Sequence, residues 1–399
     1  MQNNDYQGLF FVQIVQAIEN IVLATGINKG YNRFVAYIFW KGHSLWLLWT
    51  MGSIVEDKKK YIISILFFGL LLALTFWLIF KDQDMLSVLP AVLKANPLFV
   101  ALGMLCMFGF ICCEAANIYF LSNTFRERVR FKSCLKYAFV GFYFSSITPS
   151  SSGGQPAQVY YMNKDNVKVG ASTLSFLIML ASLQCVTLLL GIVMLCLKGG
   201  FIFANMGGIW VLFIYGSLFY LFLILIIVFA IYSQSLLKKL AVGIVALLSR
   251  LHLIKNQYSM TKKTLGMVEN YASCAGYIKR NPSVLFKTMG ISTCQILFQF
   301  SVPYFVYKAF GLSAYSYLDI LALQTVLTIC VSSLPLPGAV GASEGSFLKM
   351  FFVIFGQDFV LPAMLLNRGV SFYLFLILSG IVTMAAHFKV LKRDRLLKK

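Results

Sequence analysis

From Gly199 to Leu237 the chain contains no Asp, Glu, Lys or Arg. An apolar stretch of that length fits a lipid bilayer and not the surface of a water-soluble domain. The composition agrees: 59% of residues are hydrophobic and 12% are charged, against about a quarter charged in ordinary soluble domains. The sequence therefore specifies an integral membrane protein, and its polar residues have to be explained individually.

The formal net charge of +20 is not a nucleic-acid signature. Basic residues gather at the ends of apolar runs, where the positive-inside rule and anionic headgroups place them, and no soluble segment interleaves them with aromatics. No nucleic acid binding is expected. The nine cysteines include the neighbours Cys112 and Cys113 but show no ligand or disulfide spacing. They read as small hydrophobes. His43, His252 and His387 are scattered, so no metal site and no cofactor is expected.

Lys58, Lys59 and Lys60 precede the uncharged run Tyr61 to Phe80, long enough to cross a hydrocarbon core of about 30 Å at about 1.5 Å per residue. Further spans are expected over Pro97 to Phe125, Val169 to Leu197, Ile209 to Tyr232, Ser283 to Lys308 and Leu361 to Ala386. Residues 233–282 read as a basic cytoplasmic surface segment and 391–399 as a basic cytoplasmic tail. Most of the 34 lysines and arginines fall on the side this layout assigns to the cytoplasm, whereas Lys81, Lys94, Lys198 and Lys308 fall outside. Residues 1–56 form an N-terminal extension with two readings, an interfacial anchor or a stretch upstream of a natural start at Met51.

Two segments do not fit simple spans. Cys134 to Ile147 is too short to cross, breaks at Thr148 to Pro156 (TPSSSGGQP) and resumes as AQVYYM between basic flanks. Tyr317 to Gln357 repeats the short–break–short pattern around LPLPGAVGASEG. Irregular backbone at membrane depth survives only inside protein or beside a polar cavity. Alternating the spans makes the first break enter from the cytoplasm and the second from outside. The expected fold is an all-α polytopic membrane protein with about six full transmembrane helices and two oppositely oriented re-entrant broken helices. Transporters commonly place substrate sites where such discontinuous helices meet.

The candidate site residues follow from the breaks. Ser150, Ser151 and Ser152 offer hydroxyls, Gln155 an amide, and Gly153 and Gly154 a close backbone approach. A half-helix starting near Pro156 would favour an anionic group such as a lipid phosphate. The alternative is an ordinary polar loop. In the second break Pro335 and Pro337 end one half-helix, and Gly338, Gly341 and Gly345 permit a tight return. Glu344 opens the next half-helix, either as a helix-start residue favoured by the dipole or as part of a lipid path. Glu114 and Arg368 lie within apolar runs, where either charge facing lipid would be expensive. An Arg368–Glu344 or Arg368–Glu114 pair is one reading, and a bidentate grip of Arg368 on phosphate is the other. Lys349 offers a second cation or snorkels to the interface. No nucleophile triad, phosphate-cradling GxxxxGK[ST] or metal-ligand motif is present, so no catalytic residue is assigned.

At these residues the chain resembles the lysylphosphatidylglycerol synthase transmembrane-region family, the membrane part of bacterial multiple peptide resistance factors and their stand-alone relatives. ITPSSSGGQPAQVYYM is similar to that family's first re-entrant motif, LPLPGAVGASEGSFLKMF to its second, PGGxGxxEG, and LLNRGVSFYLFLILSG to its closing span. The resemblance covers residues 57–390, and Ala339 departs from it where the family often has a second glycine. It implies a lipid translocase in a bacterial cell membrane, moving aminoacylated phosphatidylglycerol or a related lipid between leaflets and linked to resistance against cationic antimicrobial peptides. In two-domain members a soluble C-terminal transferase moves lysine from its transfer RNA to phosphatidylglycerol. The short tail after Ala386 is expected to leave that chemistry to a separate lipid-modifying synthase. A phosphatidylglycerol lysyltransferase and an ion-coupled solute transporter using Glu114 and Glu344 are the alternatives. The C-terminus is expected in the cytoplasm, and the sequence gives no oligomeric state.

Overall fold

The computed structural model describes residues 90–148, 151–233, 257–334 and 336–397. The expected first span and the N-terminal extension lie outside the described residues. Met206–Ile214 groups with residues 1–84 in one compact unit, and Met85–Asn205 with Tyr215–Lys399 form the other. In the smaller unit the described part is a 3-10 turn, Gly207–Ile209, entered with φ +50° at Gly207, and the opening of the next helix.

The described residues form helices and turns. They are α1 (Pro97–Thr124), α2 (Phe131–Ile147), α3 (Gly154–Lys164), α4 (Val169–Met206), α5 (Trp210–Tyr232) and α6 (Gln257–Arg280). Then come α7 (Ser283–Ala309), α8 (Tyr317–Ser332), α9 (Ala342–Met350), α10 (Phe352–Arg368) and α11 (Leu374–Leu397). A π-helical turn, Gly369–Tyr373, joins α10 to α11. Among the described residues three stretches are apolar and long enough to cross a bilayer, Pro97–Thr124, Val169–Ile231 and Phe352–Val390. This is an all-α polytopic membrane protein.

Local chemistry accounts for the boundaries. Asn96 caps α1 by accepting from Leu98 N at 3.0 Å, and Pro97 occupies the first turn, where no backbone donor is needed. Ser316 and Asp319 form a capping box that starts α8. Asp319 also pairs with Lys198 at 2.9 Å, where α4 leaves helical geometry (φ −133°, ψ 22°).

The segment Ser283 to Lys308, expected as a span, forms the 27-residue α7 but is less apolar than the three stretches above. Three of its polar side chains point inward: Thr288, Ser292 and Gln295 are fully buried. Asn117 of α1 donates to Ser292 Oγ at 3.2 Å. Gly109 lets α1 approach the Phe298 ring, which a Cβ there would meet at 3.1 Å. Helix contacts of this kind, with small residues and interhelical hydrogen bonds, replace the hydrophobic drive that lipid cannot supply.

Within residues 233–282 the described helix is α6. Tyr271, Cys274, Ala275 and Ile278 are buried along one face. Asn270 Oδ1 accepts from Ala171 N at 2.9 Å, closing a free donor at the start of α4 from another helix. Gly170 makes this approach possible, since a Cβ would lie 2.7 Å from Asn270 Oδ1 and Met267 O.

Candidate site between the two broken helices

The second break is built by positive-φ backbone. After α8 the chain turns through a 3-10 segment, Pro337–Ala339, and Gly338, Ala339 and Gly341 take φ values of 56°, 52° and 86°. Ala339 thus holds a left-handed conformation disfavoured by about 1–2 kcal/mol for an L-residue, a physical reason for glycine at this position.

Glu344 lies in the first turn of α9 and is 1% exposed. Its Oε2 accepts from Gly341 N at 2.7 Å, and its Oε1 accepts from Arg368 Nε at 2.8 Å. One carboxylate is thus both the helix cap and the partner of the arginine. Arg368 also donates through Nη2 to Gly338 O at 3.3 Å and lies 5.0 Å from the Phe372 ring centroid. Its Nη1 has no partner among the described residues. Arg368 stands immediately before the π-helical turn, an irregularity that proteins often keep at functional sites. Nearby, Ser333 Oγ and Asn367 Oδ1 are buried without a hydrogen-bond partner among the described residues.

The first break joins α2 to α3. Thr148 Oγ1 accepts from Gly153 N at 2.8 Å, and Ser145 Oγ donates to Ser151 O. Ser151 is exposed with φ 55°, while Ser152 and Gln155 are partly buried. Ser150 lies outside the described residues. Gly154 is buried: a Cβ there would come within 2.1 Å of Ser145 Oγ and 2.9 Å of Gly141 O. Gly154 therefore serves close packing of α2 and α3, while Gly153 sits against Thr148, where a Cβ would lie 2.5 Å from Cγ2.

The two breaks touch. A Cβ on Gly338 would lie 3.3 Å from Ser146 O, near the end of α2, and 2.5 Å from Phe372 Cζ. Phe142 of α2 faces Phe372 and Phe375 with ring centroids 6.5 and 6.4 Å apart. The turn holding Arg368's ligand Gly338 is thus seated on the first half-helix of the other break.

Glu114 joins neither group through Arg368. Its Oε1 accepts from Gln158 Nε2 at 2.6 Å, and the same nitrogen donates to Tyr137 O at 3.2 Å. Of the two pairings open to Arg368, the structure holds the one with Glu344. Gln158 carried no sequence signal, because it sits among the polar and aromatic residues of α3. Its nearest clue was Gly141, where a Cβ would lie 2.1 Å from Gln158 Nε2. Lys349 ends α9 as a basic last-turn residue.

At the basic end of the molecule Asp165, the C-cap of α3, gathers several donors. Lys136 Nζ lies 2.5 Å and Tyr137 Oη 2.6 Å from Oδ2, and Arg393 Nη1 lies 3.2 Å from Oδ1. Arg393 also donates to Lys164 O. Burial acts to raise the Asp165 pKa. The hydrogen bonds from Lys136, Tyr137 and Arg393 and the Lys136 charge outweigh it and hold the carboxyl below its ordinary value.

Fold and site together define a class: polytopic membrane proteins whose polar residues collect at two broken helices in contact. The family model described as the lysylphosphatidylglycerol synthase transmembrane region matches residues 61–379, and the chain belongs to that family. It is also similar to a UPF0104 membrane protein of Archaeoglobus fulgidus, 30% identical over 95 residues. That match covers 24% of this chain and 29% of the relative.

Proposed function

We propose that this protein is a lipid translocase that passes the headgroup of phosphatidylglycerol, or its aminoacyl derivative, between leaflets along the contact of the two breaks. The observation carrying this reading is the Glu344–Arg368 pair, almost wholly buried at an irregular turn that rests on the other break. Among the described residues Arg368 Nη1 has no partner and Nη2 meets Gly338 O only at 3.3 Å, so a phosphate oxygen can be received without breaking the ion pair. The hydroxyls of Ser150, Ser151 and Ser152 and the Gln155 amide supply neutral donors on the other break. Acyl chains stay in the bilayer while the headgroup moves. Movement needs inward- and outward-open states that bind the lipid differently.

In this reading the membrane is a bacterial cell membrane, the C-terminus is cytoplasmic, and residues 57–390 form the translocating domain. A separate synthase supplies the modified lipid, and its export lowers the attraction of cationic antimicrobial peptides to the cell surface. The test is leaflet-specific labelling of aminolipid in cells that make the lipid. Arg368→Ala should reduce outer-leaflet exposure without changing total aminolipid. Unchanged exposure contradicts the reading, and a fall in total aminolipid favours lysyl transfer by this chain.

A further inference from the structure

The lipid path leaves the Glu114 carboxylate unused. Glu114 lies midway along the 28-residue α1, and no cation pairs with it among the described residues. Several charged and titratable groups on neighbouring elements are engaged elsewhere. On α2, Lys136 and Tyr137 serve Asp165. On α3, Tyr161 meets His387. Arg368, before the π-helical turn, holds Glu344. Glu344 has the Arg368 guanidinium to offset its charge, whereas Glu114 has only the neutral Gln158, so it would repel an anionic phosphate and contact with one is a poor use for it.

The partner of Glu114 narrows its ligand. Gln158 Nε2 donates both to Glu114 Oε1 and to Tyr137 O. Two acceptors fix the amide orientation, so a nitrogen and not an oxygen faces the carboxylate. A sodium ion needs several oxygen ligands and would be repelled by these N–H groups. A proton needs one carboxylate oxygen. Gln158 belongs to α3, the returning half of the first break, so the charge on Glu114 acts directly on that segment.

We propose that Glu114 is a proton-binding site that couples lipid movement to a proton gradient through Gln158. The charged carboxylate makes a charge-assisted hydrogen bond that holds α3 on α1. Taking up a proton at the carboxylate oxygen removes the charge and weakens that bond, which loosens α3 from α1 while Gln158 stays bonded to Tyr137 O of α2. Loss of the proton to the opposite aqueous side restores it. A charge at this depth is costly, which favours alternation between the two forms over a permanent anion.

The inference rests on the lipid-translocation reading, so its experiment has two arms. Purified protein is titrated by infrared difference spectroscopy, and the protonated-carboxyl band that rises as pH falls should contain a component that is missing in Glu114→Gln. The same proteins are then reconstituted in phosphatidylglycerol vesicles with fluorescent phosphatidylglycerol and an imposed pH gradient. The gradient should change the wild-type lipid rate several-fold and the Glu114→Gln rate by less than about twofold, with Glu114→Asp restoring a gradient response. Absence of a titrating band that depends on Glu114 overturns the proton site. A band with equal gradient responses in wild type and Glu114→Gln overturns the coupling. If no variant moves lipid, the translocase reading fails, and the infrared arm alone upholds or overturns the proton site.

Discussion

Replacing Glu344 by glutamine tests the centre of the second break. The side chain is 1% exposed and its partner Arg368 is 12% exposed, so solvent screens the pair weakly. The substituted amide would retain an oxygen for either Gly341 N or Arg368 Nε but no charge for the guanidinium. Removing one member of a buried pair costs about 3–5 kcal/mol, because the other charge is left uncompensated. Equilibrium unfolding in mixed micelles, followed by circular dichroism, should show Glu344→Gln losing about 3 kcal/mol, and Arg368→Met a similar amount. The double variant strands neither charge, and its loss should fall short of the sum of the singles by at least about 2 kcal/mol. Additive losses, or single losses under about 1 kcal/mol, would refute the reasoning that these groups form one buried unit.

Ala339→Gly removes a left-handed alanine and should stabilise the protein by roughly 1 kcal/mol in the same unfolding assay. Gly141→Ala places a Cβ 2.1 Å from Gln158 Nε2 and should lower the unfolding midpoint, with an expected cost of about 1–3 kcal/mol for overpacking. The Asp165 carboxyl is held below its ordinary value in the folded protein. Its stabilising contribution is therefore present above the unfolded value of about 3.9 and is lost as pH falls through the folded value. Asp165→Asn should show lower stability at neutral pH and converge toward wild type in strong acid.

The membrane class and both breaks were legible because lipid is unforgiving: a glycine, proline or carboxylate within an apolar run has few innocent explanations. The Glu344–Arg368 pair was also within reach, since Arg368 had only two acidic candidates at depth. Choosing between them was not, because helix rotation and tilt decide which side chains meet, and Glu114 turned out to face Gln158. That pairing depends on α3 returning against α2 over Gly141 and Gly154, a contact with no linear spacing to reveal it. The positive φ at Ala339 gives a backbone reason for the glycine that the family often has there, and a cost to the alanine that the motif alone recorded only as a missing glycine. The inward polar face of α7 was hidden for the opposite reason. Thr288, Ser292 and Gln295 lower its apparent hydrophobicity while lying fully buried, so hydropathy undervalues the helix.

The central claim is that phospholipid headgroups cross at the contact of the two breaks. It is tested most directly by reconstituting the purified chain in vesicles holding fluorescent phosphatidylglycerol in both leaflets, then adding a membrane-impermeant quencher. Wild-type vesicles should lose fluorescence beyond the outer-leaflet half, and Arg368→Ala vesicles should lose the excess many-fold more slowly. Quenching that stops at half for the wild type, as in protein-free vesicles, or an unchanged rate in Arg368→Ala, would contradict it.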